Sequence, residues 1–291
     1  MTEAPAGETS RHMDKPRVAL IIGAPHGGTT IPNMMLGQHP AVFATGKLRN
    51  FPHGDVFSED KVAAPGDTSC WHCTCGELAR ECPFWLKIRE QHQPLENRTE
   101  HEKIPQLFRM ILELSGSQYV GDVTHNADYA RQLMDIPEIE LYLIHIVRDG
   151  RGVVFSRLRK DYKLGVLSQR NWRHYRRVFR ISRRWAQQKR QFSRLVKQLG
   201  PRGVEINYAD LCRDPRQALR EIGDCLDLDF TDIAERLASG QPFMPVPHMI
   251  RGNAVLRLSD NVVLKYSPRH HGEMSLVDRT LFQLATRLSL P

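Results

Sequence analysis

The chain has 291 residues, enough for one large domain or two ordinary ones and for a sizeable core. With 41% hydrophobic and 25% charged residues it has an ordinary globular composition, and no apolar run reaches the length of a membrane-spanning helix, so disordered, collagen-like and membrane-spanning classes are excluded. Lys and Arg number 41 against 33 Asp and Glu, a net +8 that favours anionic partners.

Residues 1–15 show neither an apolar signal core nor a lipid-acceptor pattern. They are expected to form a flexible tail ahead of a single domain over 16–291, and the chain is expected in the cytoplasm. Arg17 to Ile22 is a short apolar run ending at glycine, the signature of a buried parallel strand. A glycine-rich turn follows, then a helix opened by a threonine cap at Thr29, with Pro32 tolerated in its first turn, and stopped between Gly37 and Pro40. The stretch from about 47 to 96 is rich in Pro, Gly, Cys and charge and lacks periodicity, so it is read as an inserted loop or subdomain.

Beyond the insert, helix is expected from His101 to Leu114 and Asp128 to Met134, with strands at Gln118 to Asp122 and Glu140 to Val147. Helices over Arg151 to Lys160 and Asn171 to Leu199 come next; Val178, Ile181, Trp185, Phe192, Leu195 and Leu199 form a core-facing stripe on the second. A strand at Val204 to Tyr208 and helices at Asp214 to Leu226, Thr231 to Ala238 and Ser275 to Leu288 complete the series. This alternation specifies an α/β fold, a central parallel sheet flanked by helices on both faces.

Between Arg170 and Arg194 there are ten Lys or Arg and no acidic residue, which suits either an acidic partner or a solvated helix face. Cys70, Cys73, Cys75 and Cys82 fall in one short segment with His72 and His92 near; Cys212 and Cys225 stand alone. A cytosolic address disfavours disulfides. The first four thiols suit a structural zinc, but the spacing is not that of a standard zinc ribbon, and a packing loop of reduced thiols is preferred, with no metal ligand assigned. Trp71, Trp85, Trp172 and Trp185 are read as core, while His53, Asp55, Glu59, Asp60 and the pair His270 and His271 are read as surface.

The turn Gly23-Ala-Pro25-His26-Gly27-Gly28-Thr29-Thr30 lies between the first strand and first helix, where backbone amides and the positive helix end hold phosphate. A Walker A loop places lysine after the last glycine; Thr29 stands there instead, which weakens a kinase reading. After the strand ending at Val147 comes Arg148-Asp-Gly-Arg-Gly-Val-Val-Phe-Ser156, an arginine at the strand end and a serine two helical turns on, both able to reach one phosphate.

Here the sequence resembles sulfotransferases that use 3′-phosphoadenosine-5′-phosphosulfate (PAPS), in particular their bacterial-type branch, in which this arginine–serine segment follows a central strand. The likeness continues in the loop through His39-Pro40, in Cys75-Gly76 with Cys82-Pro-Phe-Trp85, in Asn207-Tyr208-Ala-Asp-Leu211, and in Gly252-Asn253 beside Arg251 or Arg257. The resemblance implies a P-loop nucleoside-kinase-like sulfotransferase fold. It also implies a donor site made of Pro25, His26, Gly27, Gly28, Thr29, Thr30, Arg148, Ser156, Tyr208, Arg251, Gly252 and Asn253, with adenosine-3′,5′-bisphosphate (PAP) as product.

The chain departs from the family pattern at three places. His26 replaces a loop cation, Gly46-Lys47-Leu48 replaces a segment carrying a glutamate base, and Asp122-Val-Thr-His125 replaces one ending in lysine. Relatives with histidine after the equivalent strand use it as base, and an ordinary imidazole suits that task near neutral pH. The implied catalytic set is His125 as general base, with Lys47 or His26 on the bridging oxygen or sulfuryl group. The acceptor class is a hydroxyl or amine of a small molecule or glycan, with neither nucleic acid nor membrane as partner. The alternative is a PAPS- or PAP-binding protein that has lost transfer and serves as sensor or scaffold.

Overall fold

The computed structural model describes residues 15–49, 51, 72–95, 97–250, 261–266, 268 and 270–289. Five parallel strands form the sheet: β1 (Arg17–Ile22), β2 (Val42–Gly46), β3 (Tyr119–Thr124), β4 (Glu140–Val147) and β5 (Gly203–Asn207), in the order β2-β3-β1-β4-β5. β1 is central, pairing with β3 on one side and β4 on the other, so the strand order reverses at its C-terminal end. In open α/β sheets that reversal opens a crevice where ligands bind.

The helices are α1 (Thr30–Leu36), α2 (Pro83–His92), α3 (Glu100–Ser115), α4 (Ala127–Met134), α5 (Gly150–Lys163), α6 (Trp172–Leu199), α7 (Tyr208–Arg213), α8 (Pro215–Leu226), α9 (Thr231–Ala238), α10 (His270–Glu273) and α11 (Leu276–Arg287). They cover both faces, because alternate residues of a strand point to opposite sides. Val18, Leu20 and Ile22 pack with Trp85, Phe108, Leu133 and Phe192 from α2, α3, α4 and α6. Ala19 and Ile21 pack with Met35, Leu219 and Leu237 from α1, α8 and α9.

Most expected elements stand within one or two residues of their places, and three readings change. β2 was hidden: Val42–Gly46 is only five residues long, merges into the insert, and forms the edge of the sheet. Thr29 occupies the N-cap position of α1 but makes no side-chain capping bond, since its backbone is already helical (φ −64°, ψ −15°). A separate helix, α7, precedes α8.

The stripe on α6 is core: Val178, Phe192 and Leu195 are buried, and Ile181, Trp185 and Leu199 are packed against core clusters. Trp85 is fully buried as expected, but Trp172 is 63% exposed, with Arg173 and Arg176 beside its ring. Among the basic residues of α6, Arg177 is taken up structurally by the buried Asp161 at 2.7 Å, and Arg190 donates to the carbonyl of Ser289. His53, Asp55, Glu59, Asp60, Cys70 and Trp71 lie outside the described residues.

Candidate active site

The loop after β1 is shaped by its own backbone. The Gly27 amide donates to the Ala24 carbonyl at 2.7 Å, and a Cβ on Gly27 would stand 2.6 Å from that oxygen. Gly28 has φ +87°, where side chains are strained, and its Cα faces the ring of Tyr208, the first residue of α7; a Cβ there would meet the ring at 2.3 Å. Glycine at both positions lets the backbone turn this tightly between the end of β1 and the start of α1, where a phosphate is commonly held.

The arm after β4 closes on this loop. Arg148 Nη1 donates to the carbonyl of His26 at 3.0 Å, and its guanidinium lies 5.1 Å from the centre of the Tyr208 ring. Ser156, on α5, is 3.2 Å from His26 Nδ1. Gly27 and Arg148 line one small hollow with Val153 of α5 and with Trp185 and Lys189 of α6, and His26, Ser156 and Tyr208 stand beside it through their contacts with Arg148 or with each other; Pro25, Thr29 and Thr30 belong to the same loop. His26 has φ +66°, and burial, reinforced by the nearby cations Arg157, Lys160 and Arg148, lowers its imidazole to about 4. It is neutral at pH 7.

A second cluster stands on the other side of β1, at the ends of β2 and β3. His125 Nδ1 donates to the Gly23 carbonyl at 2.8 Å, which leaves Nε2 as the acceptor, and Lys47 Nζ donates to it at 3.0 Å. Burial first, then the Lys47 charge, lower His125 to about 3. Lys47 is aimed by its neighbours: Gly46 turns the chain at φ +93° with its amide on Asn33 Oδ1 at 3.2 Å, and the Leu48 amide donates to Asp122 Oδ1 at 2.9 Å.

Sequence reasoning did not single out Asn33 or Asp122. Asn33 is fully buried and ties α1 to β2 and β3, its Nδ2 donating to Gly121 O at 3.1 Å. Asp122 is fully buried, accepts from the Leu48 and Val123 amides and from Tyr129 Oη, and burial raises it to about 7. The signal for both was polarity within an apolar strand or helix, a pattern that marks a satisfied buried group. Arg251, Gly252 and Asn253 lie outside the described residues.

A strand, a glycine turn and a helix at the sheet's C-terminal edge, met by a cation from the next strand, define an α/β protein with a P-loop-like fold. The sequence profile of the Sulfotransferase family matches residues 19–232, and the chain belongs to that family. Among solved structures, the sulfotransferase domain from the curacin biosynthetic pathway is similar at 19% identity and a TM-score of 0.56, with 96% of this chain and 99% of that one covered. The sulfotransferase domain of the Synechococcus PCC 7002 olefin synthase is similar at 19% identity and 0.51, with 99% of each chain covered. At that identity both show the shared fold. Among curated proteins, none matches the chain. No helix among the described residues is long and apolar enough to cross a membrane.

Proposed function

We propose that the chain transfers a sulfuryl group from PAPS to a hydroxyl or amine of a small-molecule or glycan acceptor, in the cytoplasm. The observation that carries this is convergence: Arg148 and Ser156 both touch His26, so the arm after β4 and the loop after β1 address one ligand. The loop of Gly27, Gly28, Thr29 and Thr30 would hold the phosphosulfate end. Arg148 and Ser156 would grip the 3′-phosphate, and Tyr208 would border the nucleoside. Arg251, Gly252 and Asn253 complete the proposed donor site on the family pattern. The glycine cradle and the cation beside it fit such a donor, whose chemistry is an activated sulfur with PAP as leaving group.

The residues then divide the work. His125 Nε2 takes the acceptor's proton as the acceptor atom bonds to sulfur and the bond from sulfur to the 5′-phosphate oxygen breaks, its electron pair leaving with PAP. Lys47 first has to leave Nε2, and a bound anion draws it toward the bridging oxygen. The same negative charge raises the imidazole from about 3 toward a useful base, because it stabilises the protonated ring. His26, neutral in the free chain, gains a proton by the same effect and becomes the loop's missing cation. Proton acceptance and charge stabilisation near the sulfuryl group each lower the barrier.

A second reading has its own observation: with Nε2 occupied by Lys47 and the ring pushed well below neutrality, a chain that binds PAP without turnover is a coherent sensor or scaffold. Calorimetric PAP binding together with transfer of radiolabelled sulfate from PAPS to a panel of phenols, alcohols, amines and glycans separates the two. Transfer by wild type, abolished in His125→Ala while PAP still binds, supports the enzyme. PAP binding with no turnover on any acceptor supports the sensor, and neither binding nor turnover refutes both.

A further inference from the structure

The insert that precedes α2 meets the loop after α9 at a cluster the active site does not use. Cys73, Cys75, Cys82 and His248 each bring one donor atom to the same point, all within 4.8 Å of one another. His248 Nδ1 is 3.7 Å from Cys73 Sγ and 3.3 Å from Cys82 Sγ. A tetrahedral zinc with bonds of about 2.3 Å to sulfur and about 2.05 Å to nitrogen separates those two ligand atoms by roughly 3.6 Å, a value the observed pair brackets. The imidazole comes from 166 residues beyond Cys82, which is why the cysteine spacing alone pointed to Cys70 as the fourth ligand and not to a complete site.

The two loops are also built to hold this geometry. Thr74, between the first two thiols, donates from Oγ1 to the Val246 carbonyl at 2.5 Å and accepts from the Met249 amide at 2.9 Å, and its own amide donates to the Met249 carbonyl at 3.1 Å. Gly76, at φ +101°, lets the chain double back after Cys75, with its amide on the Cys73 carbonyl at 3.1 Å. His248 sits at φ +54°, strained for a non-glycine residue; Trp85 Nε1 donates to its carbonyl at 2.8 Å and the Phe84 ring stacks on its imidazole at 5.1 Å. Two buried thiols, one exposed thiol and an oriented imidazole are a closed set of soft ligands with no position left for a substrate.

We infer that Cys73, Cys75, Cys82 and His248 bind one structural zinc ion that pins the insert to the loop ending at Ile250. That loop is already tied to the catalytic edge of the sheet, since the Ile250 amide donates to Thr45 O two residues before Lys47, and Arg251 follows directly. The zinc therefore fixes the base of the segment assigned to the donor's 3′-phosphate without touching the reacting groups. The assignment of zinc itself is independent of the proposed activity.

The test uses the full chain purified without a histidine tag, with metal content read by plasma mass spectrometry and native mass spectrometry after desalting. One equivalent of zinc per chain is expected in wild type and in Cys225→Ser, and its loss is expected in His248→Ala and Cys82→Ser. Should those variants fail to fold, wild type grown with cobalt is expected to show the visible bands of tetrahedral, thiolate-bound Co(II), and His248→Cys is expected to keep the metal with an altered spectrum. Wild-type chain without bound transition metal overturns the inference, whether all three thiols react with a thiol reagent or two are joined in a disulfide. Zinc retained undiminished in folded His248→Ala and Cys82→Ser overturns it as well.

Discussion

Replacing Gly28 by alanine tests the geometry on which the donor site rests. The added methyl would stand 2.3, 2.7 and 2.8 Å from three carbons of the Tyr208 ring, where carbon contacts ordinarily rest near 3.5–4.0 Å, so the ring has to retreat by more than about 1 Å. The backbone at φ +87° adds a strain of about 1–2 kcal/mol for an L-residue, and overpacking adds about 1–3 kcal/mol, so Gly28→Ala is expected to lose about 2–5 kcal/mol. Denaturant unfolding of Gly28→Ala, Tyr208→Ala and the double variant separates the two parts. With the ring gone only the backbone strain remains, and the two changes should couple by about 1–3 kcal/mol. The ring also lies beneath the Arg148 guanidinium, so the single variant should weaken PAP binding beyond what instability explains. Coupling within about 0.5 kcal/mol of zero would refute the argument, because it would mean that loop and ring are not in contact.

Arg148→Ala removes a charge-assisted bond worth about 1.5–3 kcal/mol, so PAP affinity measured by calorimetry should fall roughly 10- to 150-fold; Ser156→Ala, losing a neutral donor, should cost about fivefold. His26→Lys places a fixed charge beside Arg157, Lys160 and Arg148, and should melt earlier alone yet show a larger PAP-induced rise in Tm than wild type; an equal or smaller rise counts against His26 as the loop's binding group. Asp122 is raised from an ordinary 3.8 to about 7, so the folded state holds its proton longer than the unfolded state. Its contribution is fully present below about pH 4 and is lost as pH climbs through about 7, a span of about 4 kcal/mol. Asp122→Asn keeps an acceptor for the Leu48 and Val123 amides and can donate to Tyr129, so its unfolding midpoint, compared with wild type across that range, should lack this decline.

The sheet was legible where strands were long enough to bury both faces. Arg17–Ile22 and Glu140–Val147 are near-continuous apolar runs, and both stand where the pattern put them. β2 was not, because Val42–Gly46 has one alanine, one threonine and one glycine in five residues and owes its place to pairing with β3 across a shifted register. The loop and arm that the proposed donor site uses were legible because each is local in sequence and chemically distinctive: a glycine turn after a strand, an arginine at a strand end. The Lys47–His125 contact was half legible. Both residues were singled out, but their bond depends on β2 and β3 lying side by side, 78 positions apart in the chain. His248 was silent for the same reason, a histidine in a proline-rich loop with nothing nearby in sequence to mark it as a ligand.

On the proposed reading, Lys47 and His125 stand where the family pattern carries a carboxylate base, and that changes the electrostatics of the site in a way that bears on order of binding. Burial drives Asp122 up to about 7 and His125 and His26 down to about 3 and 4, so near neutrality both imidazoles are uncharged and the carboxyl is only partly ionised. Arg148 donates to the loop at the His26 carbonyl and Lys47 donates to His125, so two cations stand at this edge of the sheet, a field that draws a polyanion in. A glutamate base would be ionised before any ligand arrived and would oppose the donor. Here, on the proposed reading, the base is weak until the donor's charge raises its imidazole and pulls Lys47 from Nε2, so acceptor activation is coupled to donor occupancy. That coupling predicts a pH profile for transfer set by the donor-bound state: the acidic limb should lie well above the free imidazole's value of about 3 and should vanish with His125→Ala. A limb that persists in the variant would place the proton on another group.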